Sequence, residues 1–174
     1  GWVWTISDGD VVAVRPDGSR TSIGRPEGST RLFEGLPLAA GSGVVWTADS
    51  DPKRGLAWLH RWDGQWSDVG VPEPYSWASQ LLVAADGAVW ATLDAEDVGQ
   101  VLARYADGRW TIDRGAARGL AQTPLGEVCS IRDPGVVCYD ATGLAAGAPV
   151  ITYPVDVKAL SIAPGGTAWV LAEQ

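Results

Sequence analysis

One phrase recurs along this chain, and that repetition limits the folds available to it. Stretches such as GVVWTA, GAVWAT and GEVCSI align when the sequence is compared with itself. They place the following residues at one repeated marker position: Trp4, Trp46, Trp90, Cys129 and Trp169. Consecutive markers are 42, 44, 39 and 40 residues apart. A period of this length indicates one supersecondary unit per repeat, which buries its apolar side chains by stacking on its neighbours.

Each unit contains short apolar stretches separated by glycine-containing turns, the pattern of β-strands. A strand of small residues comes first, at 36–41, 81–85 and 158–163, and the marker strand follows it. The third strand ends at an Asp-Gly or Thr-Gly turn, and the fourth is outermost. Few stretches have helical periodicity without an interrupting Gly or Pro. The sequence therefore predicts an all-β fold in which each unit is a four-stranded blade of a β-propeller.

The strand count predicts an incomplete ring. The sequence begins and ends at a second strand, which gives about seventeen strands, or four four-stranded blades plus one extra strand. We expect a single propeller domain or segment over residues 1–174. It would form part of a larger ring, which further blades or a second chain would complete. Its repeat units are 1–42, 43–86, 87–125, 126–165 and a partial unit, 166–174.

Composition excludes several classes of protein. The chain is 46% hydrophobic and 20% charged, as in globular proteins, and no apolar run approaches the ~18 residues of a membrane span. The net charge is −8 and the basic residues are scattered, which argues against nucleic acid as a partner. Ten Trp against one Phe is unusual. We expect the recurrent marker Trp side chains in the core, and Trp66 and Trp110 between outer strands.

Two cysteines occur in the fourth unit, at the ends of one predicted hairpin. Cys129 occupies the marker position, and the turn at 132–135 would bring Cys138 opposite it. The same alignment predicts these facing pairs in the other units: Trp4 with Ala13, Trp46 with Leu59, and Trp90 with Ala103. The pair forms either a cross-strand disulfide, which would indicate an extracytoplasmic location, or two buried thiols. Two thiolates leave a zinc shell incomplete, so we predict no metal and no cofactor.

The length variation between units indicates where binding occurs. Long connections join second to third strands, at 48–55 and 94–99, and fourth strands to the next blade, at 24–35 and 70–80. Both classes emerge on one face of a propeller, although they could be merely tolerated insertions. Glu27 belongs to this face. The candidate binding residues on it are Arg31, Asp49, Asp51, Arg54, Glu73, Tyr75, Trp77, Asp94, Glu96 and Asp97.

Two aromatic residues of this face lie outside the packing positions of the repeat. Tyr75 and Trp77 could stack on a ligand or wedge a blade junction. His60 is the only histidine, and we expect it to be structural. The acidic runs at 49–51 and 94–97 lack a complete calcium-loop pattern, and no familiar catalytic motif is present.

The stretches DGAVWAT, GVVWTA and RYADGRW resemble the repeats of two-component-regulator-type propellers and of virginiamycin B lyase. They are also similar to extracytoplasmic sensor propellers of actinobacterial receptor kinases. The resemblance implies an extracytoplasmic sensor fold. The lyase family's metal-assisted histidine chemistry has no clear counterpart here, because His60 is alone.

Three functions are compatible with this pattern. The first is a noncatalytic sensor or binding propeller that presents its loop-rich face to a protein, peptide or small-molecule ligand. The second is a propeller lyase or hydrolase whose carboxylates, such as Asp49, Asp94 and Glu96, converge. The third is a carbohydrate-binding propeller with one Trp site per blade.

Overall fold

The computed structural model describes residues 1–29, 36–51, 56–95, 97, 99–133, 135–140, 151–152 and 156–173. Seventeen strands and no helix occur in these ranges, so the all-β prediction and the predicted number of strands are confirmed. No helix long and apolar enough to cross a membrane is found among the described residues.

The strands form five antiparallel sheets, each built from strands consecutive in the chain. The first sheet contains β1 (Val3–Ser7), β2 (Asp10–Val14) and β3 (Arg20–Gly24). The second contains β4 (Leu38–Gly41), β5 (Val44–Asp51), β6 (Leu56–Trp62) and β7 (Trp66–Gly70). The third contains β8 (Trp77–Val83), β9 (Val89–Ala95), β10 (Gly99–Ala106) and β11 (Arg109–Ala116). The fourth contains β12 (Arg118–Gln122), β13 (Val128–Arg132), β14 (Gly135–Tyr139) and β15 (Ile151–Thr152). The fifth contains β16 (Asp156–Ile162) and β17 (Ala168–Glu173).

The innermost strands of successive sheets pack side by side. Strand β4 contacts β8, β8 contacts β12, and β12 contacts β16. These four strands surround a cavity of about 270 Å³ lined by residues that include Leu38, Leu81, Leu120 and Leu160.

Four of the marker residues lie on the second strand of their sheets, and Trp4 lies on β1, the first strand of its three-stranded sheet. Two of the predicted cross-strand partners are wrong. Trp4 pairs with Ala13 as expected. Trp46 pairs with Arg61 instead of Leu59, and Trp90 pairs with Arg104 instead of Ala103. The long hairpin loops of these two sheets shift the third strand, and hairpin register is determined by loop geometry.

Burial of the marker residues depends on the sheets beside them. Trp46 and Cys129 are buried, and Trp90 is fully buried. Trp4 is only half-buried, and Trp169 is 66% exposed. The prediction that Trp169 belongs to the core is therefore wrong. It lies on β17, which pairs with β16 alone among the described strands, so no further sheet covers its ring.

An aromatic contact links successive sheets. The marker Trp of one sheet packs against an aromatic residue one position beyond the marker's partner in the next sheet. The ring centroids are 6.4 Å apart for Trp4 and Trp62, 5.8 Å for Trp46 and Tyr105, and 5.7 Å for Trp90 and Tyr139. Aromatic pairs at this separation stabilise a contact beyond the area that they bury.

The outer strands are joined by hydrogen bonds from tryptophan. Trp66 Nε1 donates to the carbonyl oxygen of Ile23 at 3.1 Å. Trp110 Nε1 donates to the carbonyl oxygen of Gly70 at 2.9 Å. The expected packing role of Trp66 and Trp110 is confirmed, because each indole attaches its own sheet to the preceding one.

The two cysteines form a disulfide within the fourth sheet. Cys129 on β13 faces Cys138 on β14, and their Cα atoms are 4.0 Å apart. The predicted cross-strand disulfide is confirmed. It links the marker strand to the third strand in the one described sheet whose marker is a cysteine.

Candidate functional site

The described residues of the two classes of long connection contact each other, as the sequence predicts. Ser29, in the connection from the first sheet to the second, donates a hydrogen bond from Oγ to Asp49 Oδ2 at 2.7 Å. The next connection makes an equivalent contact, because the Ser76 amide donates to the carbonyl oxygen of Asp94 at 2.9 Å. Each interblade loop therefore covers the end of the second strand in the sheet that follows.

The junction between the second and third sheets is packed with apolar side chains. Tyr75 is 3% exposed and joins a core cluster with Leu93, Val101 and Ala103, all fully buried. Tyr75 is therefore part of the blade junction, and its ring is not free to stack on a ligand as its placement on the loop-rich face suggested. Trp77 is half-buried at the start of β8.

The loop over the preceding junction closes with the same backbone hydrogen bond, although its backbone differs: the Glu73–Pro74 peptide bond is cis, whereas Gly28 has a positive φ. The segments RPEGS (25–29) and VPEPY (71–75) correspond residue by residue. The Ser29 amide donates to the Pro26 carbonyl at 3.2 Å, and the Tyr75 amide donates to the Pro72 carbonyl at 3.1 Å. Ser29 therefore occupies the position of Tyr75, and its small side chain leaves unfilled the volume that a buried ring fills at the next junction.

The strands below this loop also replace apolar residues with polar ones. The register follows from the marker pairs, Trp46 with Arg61 and Trp90 with Arg104. Counting from them gives these replacements: Asp49 for Leu93, His60 for Ala103, and Asp68 for Ile112. Core positions of one blade junction are thus polar and titratable in the junction before it.

These replacements surround a small cavity between the first and second sheets. Its volume is about 100 Å³, and it is lined by Glu27, Gly28, Ser29, Asp49, Trp58, His60 and Asp68. The side chain of Asp68 is 47% exposed, so the cavity is accessible from solvent. We call it the junction cavity.

A histidine and a carboxylate are in hydrogen-bonding contact in the wall of the junction cavity. His60 is 5% exposed, and its Nδ1 lies 2.7 Å from Asp68 Oδ1. A neutral imidazole that donates its Nδ1–H to this carboxylate presents Nε2 as an acceptor. His60 Nε2 is buried and has no hydrogen-bond partner among the described residues. Leaving such a buried atom without a partner costs about 1–3 kcal/mol, so a ligand that donates a hydrogen bond to Nε2 gains binding energy.

The structure gathers few of the residues predicted to bind. Asp49 lines the junction cavity, whereas Asp94 is half-buried beside Trp77 at the next junction, and Glu73 and Asp97 are exposed. The remaining candidates, Arg31, Arg54 and Glu96, lie outside the described residues, as does the side chain of Asp51.

Ser29, Trp58, His60 and Asp68 were missed by sequence reasoning. A comparison of equivalent positions between units could have found them, because polar residues replace apolar ones there. The predicted alignment placed His60 level with Arg104, where a charged residue is ordinary. Only the observed register aligns it with the fully buried Ala103.

Two other interpretations can be compared with this geometry. Trp46 and Trp90 are buried, so the hypothesis of one exposed Trp sugar site per blade is wrong. Within the described part of the chain, no three His, Cys, Asp or Glu side chains come together in a way that could hold a metal ion.

A second polar network joins the third and fourth sheets. Arg132 donates to both carboxylate oxygens of Asp113, at 2.8 and 3.1 Å, and the hydroxyl of Tyr139 donates to the same carboxylate at 3.2 Å. Burial raises the pKa of Tyr139 to about 12, with the nearby Asp113 charge acting in the same direction and Arg132 opposing it. The Asp113 carboxylate in this network is paired with a guanidinium group, whereas no described Arg or Lys lines the junction cavity.

Solved structures with the same arrangement of sheets identify the fold. Virginiamycin B lyase from Staphylococcus aureus aligns over 98% of this chain and 59% of its own, at 14% identity and a TM-score of 0.65. YCF48 bound to D1 peptide aligns over 99% and 58%, at 14% identity and a TM-score of 0.61. The PQQ-bound aldose sugar dehydrogenase from Streptomyces coelicolor aligns over 99% and 71%, at 14% identity and a TM-score of 0.60.

The chain is a β-propeller. It shares this fold with virginiamycin B lyase and YCF48, and it spans about three fifths of the length of these two chains. No protein-family profile and no curated protein matches the sequence. In this propeller the junction cavity lies between consecutive blades, on the face that carries the long loops.

Proposed function

We propose that this propeller is a noncatalytic binding module that takes its ligand in the junction cavity. One observation carries the proposal. The junction between the first and second sheets has Ser29, Asp49, His60 and Asp68 at positions where the next junction has buried or partly buried Tyr, Leu, Ala and Ile.

The free energy of folding does not account for these replacements. Exchanging packed apolar side chains for charged ones loses burial energy, and His60 Nε2 gains no hydrogen bond in return. Residues that lower stability and line an accessible cavity are typical of binding sites, where a ligand supplies the missing contacts.

The class of partner is a protein, peptide or small molecule. One of the similar propellers is described as bound to a peptide, which supports a peptide or protein ligand for this fold. The net charge of −8 makes nucleic acid a poor partner. The Cys129–Cys138 disulfide supports an extracytoplasmic location, on the outer face of a cell or in a secreted protein.

The proposal includes a larger ring, which further blades or a second chain would complete. Apolar side chains are exposed at the two ends of the series of sheets. Trp2 and Val3 are 47% and 67% exposed near β1, and Trp169 and Leu171 are 66% and 64% exposed on β17. Additional strands would cover these edges and remove them from water.

A lyase or hydrolase is the second candidate. The His60–Asp68 pair favours it, because a carboxylate that orients an imidazole is a common arrangement of a general base. The convergent carboxylates that the sequence predicted do not support this second candidate. Asp49 and Asp94 lie at different blade junctions, and Glu96 is outside the described residues.

The proposal is tested with a library of small molecules and short peptides, read through the ring resonances of His60. Because His60 is the only histidine, these signals need no assignment. We expect some compounds to shift them, to lose that effect in the Ser29→Tyr variant, and to be recovered chemically unchanged. Bound compounds that are converted to products would establish the second candidate instead. A library that leaves His60 unaffected would refute binding at this cavity.

A further inference from the structure

We infer that the junction cavity accepts a positively charged N–H donor, an ammonium or guanidinium group. This inference rests on the proposed binding function and names the chemical class of its ligand. The chemistry of the cavity wall leads to it.

The atoms available in the junction cavity are hydrogen-bond acceptors. Asp49 uses Oδ2 for the Ser29 hydroxyl, and Asp68 uses Oδ1 for His60 Nδ1. Each of these carboxylates has a second oxygen, and Glu27 adds a third carboxylate. His60 Nε2 is an acceptor while the ring is neutral. A ligand that satisfies these atoms must therefore donate several hydrogen bonds.

The charge of the wall selects the sign of the ligand. Glu27, Asp49 and Asp68 place three acidic side chains in the wall, and no Lys or Arg side chain of the described part of the chain lines the junction cavity. An anion would be repelled, whereas a cation with N–H donors forms charge-assisted hydrogen bonds.

The size of the cavity limits the group to a few heavy atoms. A volume of about 100 Å³ equals roughly three water molecules at ~30 Å³ each. An ammonium or guanidinium head is of this size. A bare metal ion fits less well, since no three described ligating side chains converge.

Two sources can supply this chemistry, a free cationic amine or a Lys or Arg side chain of a peptide. The cavity opens beside Asp68, whose side chain is 47% exposed, so the head group can enter while the rest of the ligand stays outside. The experiment therefore includes both sources.

The test titrates the folded chain at pH 7.5 with ethylguanidinium, ethylammonium, and the capped tripeptides Gly-Arg-Gly, Gly-Lys-Gly and Gly-Glu-Gly, following the His60 ring resonances. We expect saturable shifts with the cationic probes and none with Gly-Glu-Gly. Asp49→Asn should weaken binding by about 10-fold to 100-fold, the effect of one charge-assisted hydrogen bond. Glu73→Gln is the matched control, because Glu73 is the exposed counterpart of Glu27 in the next loop, and this variant should bind as the parent does.

The outcomes separate the inference from the proposed function. Binding of tripeptides alone supports the inference with a peptide source, and equal binding of the small cations supports it with an amine source. If uncharged or anionic library compounds shift His60 but no cationic probe does, the inference is overturned and the binding function stands. Cation binding that persists unchanged in both Asp49→Asn and Ser29→Tyr overturns the inference, because the cation then lies elsewhere. If neither probes nor library compounds bind, both proposals fail.

Discussion

Ser29 and Tyr75 occupy the same position in consecutive interblade loops, and their difference in size separates a hollow blade junction from a packed one. Both residues lie two positions after a Pro-Glu pair, and their amides donate to the carbonyl oxygen of that proline at 3.2 and 3.1 Å. Tyr75 buries its ring among Leu93, Val101 and Ala103, whereas Ser29 lies over Asp49 and the cavity.

Converting the hollow junction to the packed type should stabilise the protein and remove its binding site. The variant carries Ser29→Tyr, Asp49→Leu, His60→Ala and Asp68→Ile. We expect its free energy of unfolding to rise by about 2–4 kcal/mol, because apolar burial replaces unsatisfied polar groups. Denaturant unfolding measures the change, and Glu73→Gln should leave it within ~0.5 kcal/mol of the parent. A less stable quadruple variant would contradict the claim that these residues are retained against stability.

The marker tryptophans should differ in their contributions to stability. Trp46→Ala removes a ring that is 2% exposed and should cost about 3–5 kcal/mol. Trp169→Ala removes a ring that is 66% exposed and should cost less than ~1 kcal/mol. Equal losses in chemical denaturation would mean that Trp169 is covered in solution, as completion of the ring by a second copy of the chain would require.

The disulfide should stabilise the chain by restricting its unfolded state. Cys129 and Cys138 are separated by 9 residues in sequence, and closing a loop of this length contributes about 2–3 kcal/mol. The double variant Cys129→Ala/Cys138→Ala should lose this amount in denaturant unfolding. A reducing agent should lower the stability of the parent chain while leaving the double variant unaffected. Sensitivity of the double variant to the reductant would contradict this explanation.

Tyr139 should make stability fall in alkaline solution. Its pKa is raised by burial from 10.0 to about 12, so between these values the unfolded chain loses the proton while the folded chain keeps it. The stabilisation is complete below pH 10 and is lost as the pH rises toward 12, by about 1.4 kcal/mol per pKa unit and ~2–3 kcal/mol in all. Other groups also titrate in this range, so the measured quantity is the difference between the parent and Tyr139→Phe in urea unfolding from pH 9 to 12. An identical pH dependence in the two proteins would contradict the shift.

The amino-acid sequence alone determined the repeating architecture. Marker residues spaced about 40 apart, with Gly-containing turns between alternating apolar stretches, were enough to predict seventeen strands, four-stranded units and the pairing of Cys129 with Cys138. These features depend on local patterns, which each unit repeats independently of the others.

The tertiary structure decided which side chains meet between units. A strand has a side-chain period of two, so a small error in hairpin register changes the residues that share a position, and the sequence alignment placed His60 level with Arg104 instead of Ala103. The exposure of Trp169 and the burial of Tyr75 likewise depend on whether another sheet packs over them. The junction cavity forms where the loop of one unit packs over the sheet of the next, and a contact of that kind follows from packing between units, which no single unit encodes.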